Sequence, residues 1–477
     1  MTDSIEYALI DGERVLSERT IEVMDPSTGT VLAVTADCGP TEIDLAVRAA
    51  ARTQLSWRKV GVPERARLLR KVADLILRDL DEIGELESLQ TGKPLAQGLR
   101  DAELTARYFD FYASAVETFY GSSFSLDERT QVVTSFEPHG VTAHIIPWNY
   151  PLQIMGRSVA PSLATGNCTV VKPAEETPLT AFKLAELVLE AGLPKGAMNV
   201  VPGLGETAGA ALTAHRGIGH ISFTGSVEVG RIIAHAAADL LVPATLELGG
   251  KSPNIVFADA DLDKAVPVIA NAILQNGGQT CSAGSRLIVQ ESIHEELVSR
   301  LREVFQSVEV GPALDDPKMG PMISANQLDR VLNYIEIGTG EGTLVSGGSR
   351  LSGGRLGEGY FVEPTIIDDV AESSRVFQEE IFGPVLVVAT FTNIEEAVAL
   401  ANGTEFALVA GVWTTNINTA QRMIRDVVSG QVFVNSYGAS GGIERPFGGF
   451  KQSGYGREKG AEGLRGFVQV KTSVIVS

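Results

Sequence analysis

The sequence predicts an α/β protein with doubly wound parallel sheets, and three observations carry that expectation. From Val141 onward, short runs that are apolar throughout alternate with helical segments, as strands buried on both faces do. A second series of the same kind begins near Leu246 and continues to about Val434. The 477 residues also exceed what one hydrophobic core organises, so two or three domains are expected.

In chain order, Leu69, Val72, Ile76 and Leu80 recur at helical spacing between charged residues. The spacing predicts one long amphipathic helix from Pro63 to Gly92, where the glycine stops it. Val141–Ile146 and Cys168–Val171 read as buried strands. A helix follows, with Thr177 as its cap, Pro178 at its first position and Gly192 just past its end. Asn199–Val201 is a further strand, Glu206–Ala214 a helix and His220–Phe223 a strand leading into a helix from Glu228. The glycine-rich stretch from Gly338 to Gly359 predicts a loop or hairpin within the second series. Phe467–Val476 alternates like an edge strand, which a partner subunit would cover.

Acids outnumber bases 59 to 39, a formal charge of −20, so nucleic acid and anionic membrane surfaces are not expected partners. The segment Met1–Arg14 carries acids and no apolar run, so neither a signal peptide nor a membrane anchor is expected there. Between His144 and Lys172 the sole formal charge is Arg157, and from Ala265 to Ser285 there is none. Both windows are long enough to span a bilayer. Prolines break the first, and Pro267, Asn271, Asn276 and the pair Gly277-Gly278 break the second, so both read as buried interior. Three widely separated cysteines, Cys38, Cys168 and Cys281, form neither a disulfide framework nor a zinc cluster, and the six histidines show no metal-ligand spacing. No metal is expected, and a cytoplasmic location is.

Candidate chemistry gathers in the charge-poor windows. Cys281 lies in Asn276-Gly-Gly-Gln-Thr-Cys, where an apolar helix runs into a glycine-rich turn that can present a thiol at the base of a cleft. A buried free cysteine is the plainer reading, and Cys38 and Cys168 fit it better. Glu247 interrupts Leu246-Glu-Leu-Gly-Gly-Lys251 at the end of an apolar strand. Desolvation there makes it a general base, unless it pairs with Lys251. Asn149 offers a neutral amide to an oxyanion, or is simply a turn residue near Pro151. Gly225 and Gly230, after one strand and opening a helix, suit a pyrophosphate. Lys172 and Glu175 follow another strand, where a carboxylate can take ribose hydroxyls and repel a 2′-phosphate, favouring NAD over NADP.

Seven ordered motifs, spread over nearly the whole chain, resemble those of the aldehyde dehydrogenase superfamily. They are Pro147-Trp-Asn-Tyr-Pro151, Lys172-Pro-Ala-Glu175, Phe223-Thr-Gly-Ser226, Leu246-Glu-Leu-Gly-Gly-Lys251, Gly278-Gln-Thr-Cys281, Glu379-Glu-Ile-Phe-Gly-Pro384 and Pro446-Phe-Gly-Gly-Phe-Lys-Gln-Ser-Gly454. The resemblance implies two doubly wound α/β domains, a Rossmann-like cofactor domain (residues 1–124 and 145–246) and a catalytic domain (247–450). A small β oligomerisation arm and tail (125–144 and 451–477) would make a homodimer or homotetramer. It implies Cys281 as nucleophile, Glu247 as general base, and Asn149 with the Cys281 backbone N–H as oxyanion hole. Around NAD it places Trp148, Lys172, Glu175, Gly205, Gly225, Ser226 and Gln327, with Glu380 and Phe382 at the nicotinamide end. Val227 stands where the family usually has Thr, which removes one phosphate-side contact. The implied reaction is oxidation of an aldehyde to the acid through a thioester that Glu247 hydrolyses, without coenzyme A.

On the substrate side the expected residues are Tyr150, Arg157, Ser440 and Arg445. The small residues around Ser440 suit a bulky or polar aldehyde, aromatic ones included. Arg157 would bind a carboxylate tail, as in semialdehyde dehydrogenases, bind a polar aromatic aldehyde, or pair with an internal acid. A non-catalytic dinucleotide-binding or structural relative would have lost Cys281 or Glu247. An acyl-phosphate reductase would want a histidine near the nucleophile, and the nearest in sequence is His294.

Overall fold

The computed structural model describes residues 7–438 and 442–477; Ser440 lies outside the described residues. Two mainly parallel sheets form the frame. In the first, four neighbouring parallel strands run in the order Cys168–Lys172, Val141–Ile145, His220–Thr224, Ala244–Glu247, with Met198–Val200 beyond Cys168–Lys172. The chain winds outward from Val141–Ile145 in one direction, then returns to lay His220–Thr224 on its other side. Strand order therefore reverses between these two strands, and in open α/β sheets a ligand crevice lies outside the carboxyl ends at such a point.

The second sheet has seven strands, ordered Thr343–Ser346, Thr365–Asp368, Val385–Phe391, Arg286–Gln290, Pro253–Val256, Val409–Trp413, Gln431–Val434; only the first pairs antiparallel to its neighbour. A third sheet joins Ser123–Ser125, Thr130–Pro138 and Val468–Val476. The tail strand pairs with Thr130–Pro138 along its whole length and leaves its outer edge exposed. No helix among the described residues is long and apolar enough to cross a membrane. The two charge-poor windows contribute the helices Pro151–Ala164 and Leu262–Leu274.

Several boundaries differ from the sequence expectation. The predicted long helix is two, Val62–Arg78 and Leu80–Thr91, broken at Asp79, whose carboxylate takes Arg78 and Lys183. Both pieces pack on the long helix Leu95–Val116, and the break re-aims the second across it. Gly92 ends it at φ 77°. Thr177 does not cap the next helix, Leu179–Glu190: its hydroxyl has no partner among the described residues, and the Leu179 N–H is taken instead by Gln90 Oε1 at 2.9 Å. The Glu206–Ala214 segment opens as a widened turn, Gly205–Gly209, because the Leu204 carbonyl accepts from Gly209 N, before Ala210–Thr213 closes into α-helix. Leu246 belongs to the first sheet, so the second series starts at Pro253. Gly338 still lies in the helix Ala325–Glu341, and the glycine-rich stretch after it holds a short pair, Arg350–Leu351 with Phe361–Val362. Val141–Ile145 joins the first sheet rather than the arm sheet, and Gly454–Tyr455 pairs at that sheet's far edge.

The helix crossing has a direct bearing on the site. A side chain at Gly98 would lie 2.3 Å from both the Gly84 carbonyl and Ser88 Oγ, so Leu80–Thr91 and Leu95–Val116 meet backbone to backbone. The turn between them, Gly92-Lys93-Pro94, aims Lys93 inward. Gly98→Ala is expected to cost about 1–3 kcal/mol by overpacking, read as a lowered urea midpoint; an unchanged midpoint would mean the crossing tolerates a methyl group.

Candidate active site

Each of the four neighbouring parallel strands of the first sheet ends at or runs into a residue expected to function. Val141–Ile145 leads into Trp148, Asn149 and Tyr150; Cys168–Lys172 ends on Lys172; His220–Thr224 is followed by Gly225 and Ser226; Ala244–Glu247 ends on Glu247. Asn149 and Ser226 thus flank the point where strand order reverses. Ser226 caps the helix Val227–Leu240, its hydroxyl accepting from Val229 N. A Cβ at Gly205 would meet nothing within 4 Å, which leaves open space along that rim.

Cys281 is delivered from the opposite side. After Leu262–Leu274 the chain makes three left-handed residues, Asn276 (φ 52°), Gly277 (φ 60°) and Gly278 (φ 73°). Gly278 has no room for a side chain, since a Cβ would sit 2.1 Å from the Gly383 carbonyl. Asn276 holds the turn with its amide, donating to the carbonyls of Asn149 (3.0 Å) and Gln279 (3.3 Å). Cys281 and Asn149 line one cavity of about 340 Å³, together with Tyr150, Arg157, Tyr437, Phe447 and Lys459.

Asn149 is fixed at three points. Its Nδ2 donates to the Gln279 carbonyl at 3.0 Å, and its own carbonyl accepts from Asn276 and from Lys93 Nζ, each at 3.0 Å. Lys93 is fully buried between Glu87 and Asp101, which outweigh the cost of burial and keep the ammonium charged. The sequence reading missed Glu87, Lys93 and Asp101. Their partners are distant in sequence, and the one local signal was a lysine directly after a helix-stopping glycine.

Burial governs the two reactive groups. It pushes the Cys281 thiol up to about 11, with Glu380 and Glu247 adding to the shift and Arg157 opposing it. Burial likewise raises Glu247 well above the usual carboxylate range, and Glu458 reinforces it against Arg157. Among the described residues neither Glu247 oxygen has a hydrogen-bond partner, and the pair with Lys251 does not form: Lys251 Nζ is also unpartnered. Cys38 and Cys168 are fully buried, with thiols shifted further upward by burial.

On the cofactor side Lys172 and Glu175 pair at 2.9 Å. Trp148 and Phe382 stand edge to face, centroids 5.3 Å apart. Glu380 Oε1 accepts from Gly250 N at 2.8 Å, and a side chain at Gly249 would collide with the same carboxyl at 2.4 Å. Burial raises Glu380 to about 7. Gln327 donates to the Phe382 carbonyl at 2.8 Å, and Arg330 to the Glu380 carbonyl at 2.6 Å, so both hold the loop from below.

On the substrate side Tyr150 Oη lies 3.0 Å from Thr280 Oγ1 and accepts from Gln275. Arg157 is buried and paired with Glu458, which answers its charge from within the protein. Arg445 is exposed and does not line the cavity; its guanidinium stands over the Phe433 ring at 5.9 Å. Among the described residues His294, Asp368 and Asp369 place three potential ligand atoms within 4.8 Å, outside the cavity lining.

The sequence profile of the aldehyde dehydrogenase family matches residues 15–473. The chain belongs to that family. An aldehyde dehydrogenase from Enchytraeus buchholzi is 45% identical over 96% of this chain and 92% of its own length. Retinal dehydrogenase 2 of Homo sapiens is 42% identical, covering 96% and 89%. A solved NAD+ complex of an aldehyde dehydrogenase from Bacillus cereus superposes with a TM-score of 0.96 at 40% identity, covering 99% of this chain and 97% of that one. Membership makes the chain an oxidoreductase of the aldehyde group.

The cysteine environments give a direct test. Iodoacetamide is expected to label Cys281 ahead of Cys38 and Cys168, with a rate that climbs about tenfold per pH unit through the neutral range. The sign follows from the raised thiol, whose reactive anion accumulates only as pH approaches about 11. A rate already flat at pH 7 would show an ionised resting thiolate.

Proposed function

We propose that the chain oxidises a bulky or polar aldehyde, aromatic ones included, to the carboxylic acid, with NAD as hydride acceptor and water as acyl acceptor. The observation that carries this reading is the placement of Cys281 and Asn149 in one cavity, with buried, unpaired Glu247 close enough to shift the thiol's titration.

The residues present fit a dinucleotide. Ser226 offers a capped helix N-terminus and Gly205 an open rim, while Lys172 with Glu175 suits a ribose. Trp148, Phe382 and Glu380 would hold the nicotinamide end. Glu175, with Glu176 beside it, supports NAD over NADP, because carboxylates repel a 2′-phosphate. When bound, NAD accepts the hydride.

The chain's own groups do the rest. The Cys281 thiolate adds to the aldehyde carbon, and the new oxyanion takes hydrogen bonds from Asn149 Nδ2 and the Cys281 backbone N–H. Loss of hydride from that adduct leaves a thioester on Cys281. Glu247 removes a proton from water, the hydroxide adds to the thioester carbon, and collapse breaks the C–S bond, expelling the Cys281 thiolate and leaving the free acid. A carboxyl raised by burial is a stronger base than one in water, which suits this second half. Because Arg157 already has Glu458, the semialdehyde reading built on Arg157 has less support than the polar or aromatic one. The cavity's rings, Tyr150, Tyr437 and Phe447, favour a flat substrate. The exposed outer edge of Val468–Val476 supports homo-oligomer assembly through the arm.

NADH absorbance tests this across aliphatic, aromatic and carboxylate-tailed aldehydes with NAD or NADP. Turnover without coenzyme A is expected; production of NADH only when coenzyme A is added would replace hydrolysis by acyl transfer. Glu247→Gln is expected to give one equivalent of NADH quickly and then turn over about 100-fold more slowly. Asn149→Ala is expected to lower kcat by about 100- to 1000-fold, with no burst.

A further inference from the structure

Lys459 was no part of the sequence expectation, and it stands out in the cavity. It lines the same cavity as Cys281 and Asn149 and is 6% exposed. Among the described residues its ammonium makes no hydrogen bond and no ion pair; it stands over the face of Phe447, 4.9 Å from the ring centroid, within electrostatic reach of Cys281, Glu458 and Glu247. Two other buried cations, Arg157 in the same cavity and Lys93 beside it, are answered within the protein, whereas Lys251 is not. Arg157 has Glu458, and Lys93 has Glu87 and Asp101. A buried ammonium without an acceptor is costly, and burial and the neighbouring Arg157 lower Lys459 to about 8.

Its backbone is costly too. Lys459 sits at φ 61°, a conformation that residues other than glycine rarely adopt. It is imposed from both sides. Glu458 exchanges backbone hydrogen bonds with Phe447 at 2.7 and 2.8 Å, and Gly460 N donates to the Ile443 carbonyl at 2.7 Å. An unpartnered charge and a strained backbone at one residue, directed to a cavity, mark a position held for a ligand.

We propose that Lys459 is a specificity-determining residue whose ammonium binds a carboxylate carried by the aldehyde substrate. The inference rests on the aldehyde-oxidising reading above and narrows its substrate class to aldehyde acids. The remaining charges around the cavity are consistent with it. Arg157 also stands over the Phe447 ring, its Cζ 5.1 Å from the centroid, and adds positive potential. Asp101, the acid among the lining residues, is bound by Lys93 and by Gln153 at 2.5 Å. Arg100 pairs with Glu103.

The test compares 4-carboxybenzaldehyde with its neutral isostere 4-formylbenzamide under NAD. The unmodified enzyme is expected to favour the acid by about tenfold or more in kcat/KM, as a charge-assisted hydrogen bond does. Lys459→Met is expected to bring that ratio to about one, mainly through a raised KM for the acid, and Lys459→Arg to retain most of it. A ratio at or below one in the unmodified enzyme overturns the proposal, and this arm needs no variant to fold. An equal loss with both aldehydes in Lys459→Met also overturns it, since the lysine would then act on Cys281 or Glu247. Absence of NADH with every aldehyde would instead strike the aldehyde-oxidising reading itself.

Discussion

The buried ammonium of Lys93 is the tie on which the site depends. It brings together a helix turn, two carboxylates from different helices and the main-chain carbonyl of Asn149. That carbonyl also takes the Asn276 amide, so one oxygen couples the strand-end loop of the first sheet to the left-handed turn that carries the nucleophile. Neither segment could hold its shape alone. Asn276, Gly277 and Gly278 occupy a strained run of backbone, and an isolated loop of this composition would relax. The charge network supplies the restraint. It is buried, so removing Lys93 would leave Glu87 and Asp101 without a cation.

The same desolvation that makes the network stiff sets the resting state of the chemistry. Cys281 and Glu247 are both shifted toward their neutral forms by burial, and each opposes the charging of the other. Two anions are thereby avoided in a small, poorly solvated volume. Arg157 pulls both the other way, yet Glu458 consumes much of its charge. Activation of the thiol therefore requires a change in local field or a proton acceptor, rather than being built into the resting fold. Glu380 adds to this balance. Its carboxyl occupies the space over Gly249 and Gly250, and it too is held toward neutrality.

Much of this was legible in the sequence, for identifiable reasons. Buried parallel strands are apolar on both faces, so Val141–Ile145, Cys168–Lys172 and His220–Thr224 were found within a residue, and the groups at their carboxyl ends followed from topology. Local motifs likewise carried Cys281 and Asn149 to one cavity. What escaped was set by distant partners. Helical periodicity continues through Asp79, and only packing on Leu95–Val116 shows the break. Gln90 rather than Thr177 serves the start of the next helix, from 89 residues away. The Glu247–Lys251 pair, plausible at four residues' separation, does not form.

Arg157 and Lys459 show the limit most clearly. A lone charge in an apolar window draws attention because its partner is not visible locally, and for Arg157 the partner, Glu458, lies near the far end of the chain. The next residue, Lys459, sits in an ordinary charged run, Arg457-Glu-Lys459, and attracts none. Folding reverses their standing. Glu458 turns toward Arg157, the left-handed backbone at Lys459 turns the next side chain another way, and the cavity receives the ammonium that remains without a carboxylate. Adjacent residues of opposite charge would ordinarily share one solvated surface. Here a single positive φ separates them, so one completes the protein's own ion pair and the other is left for a ligand.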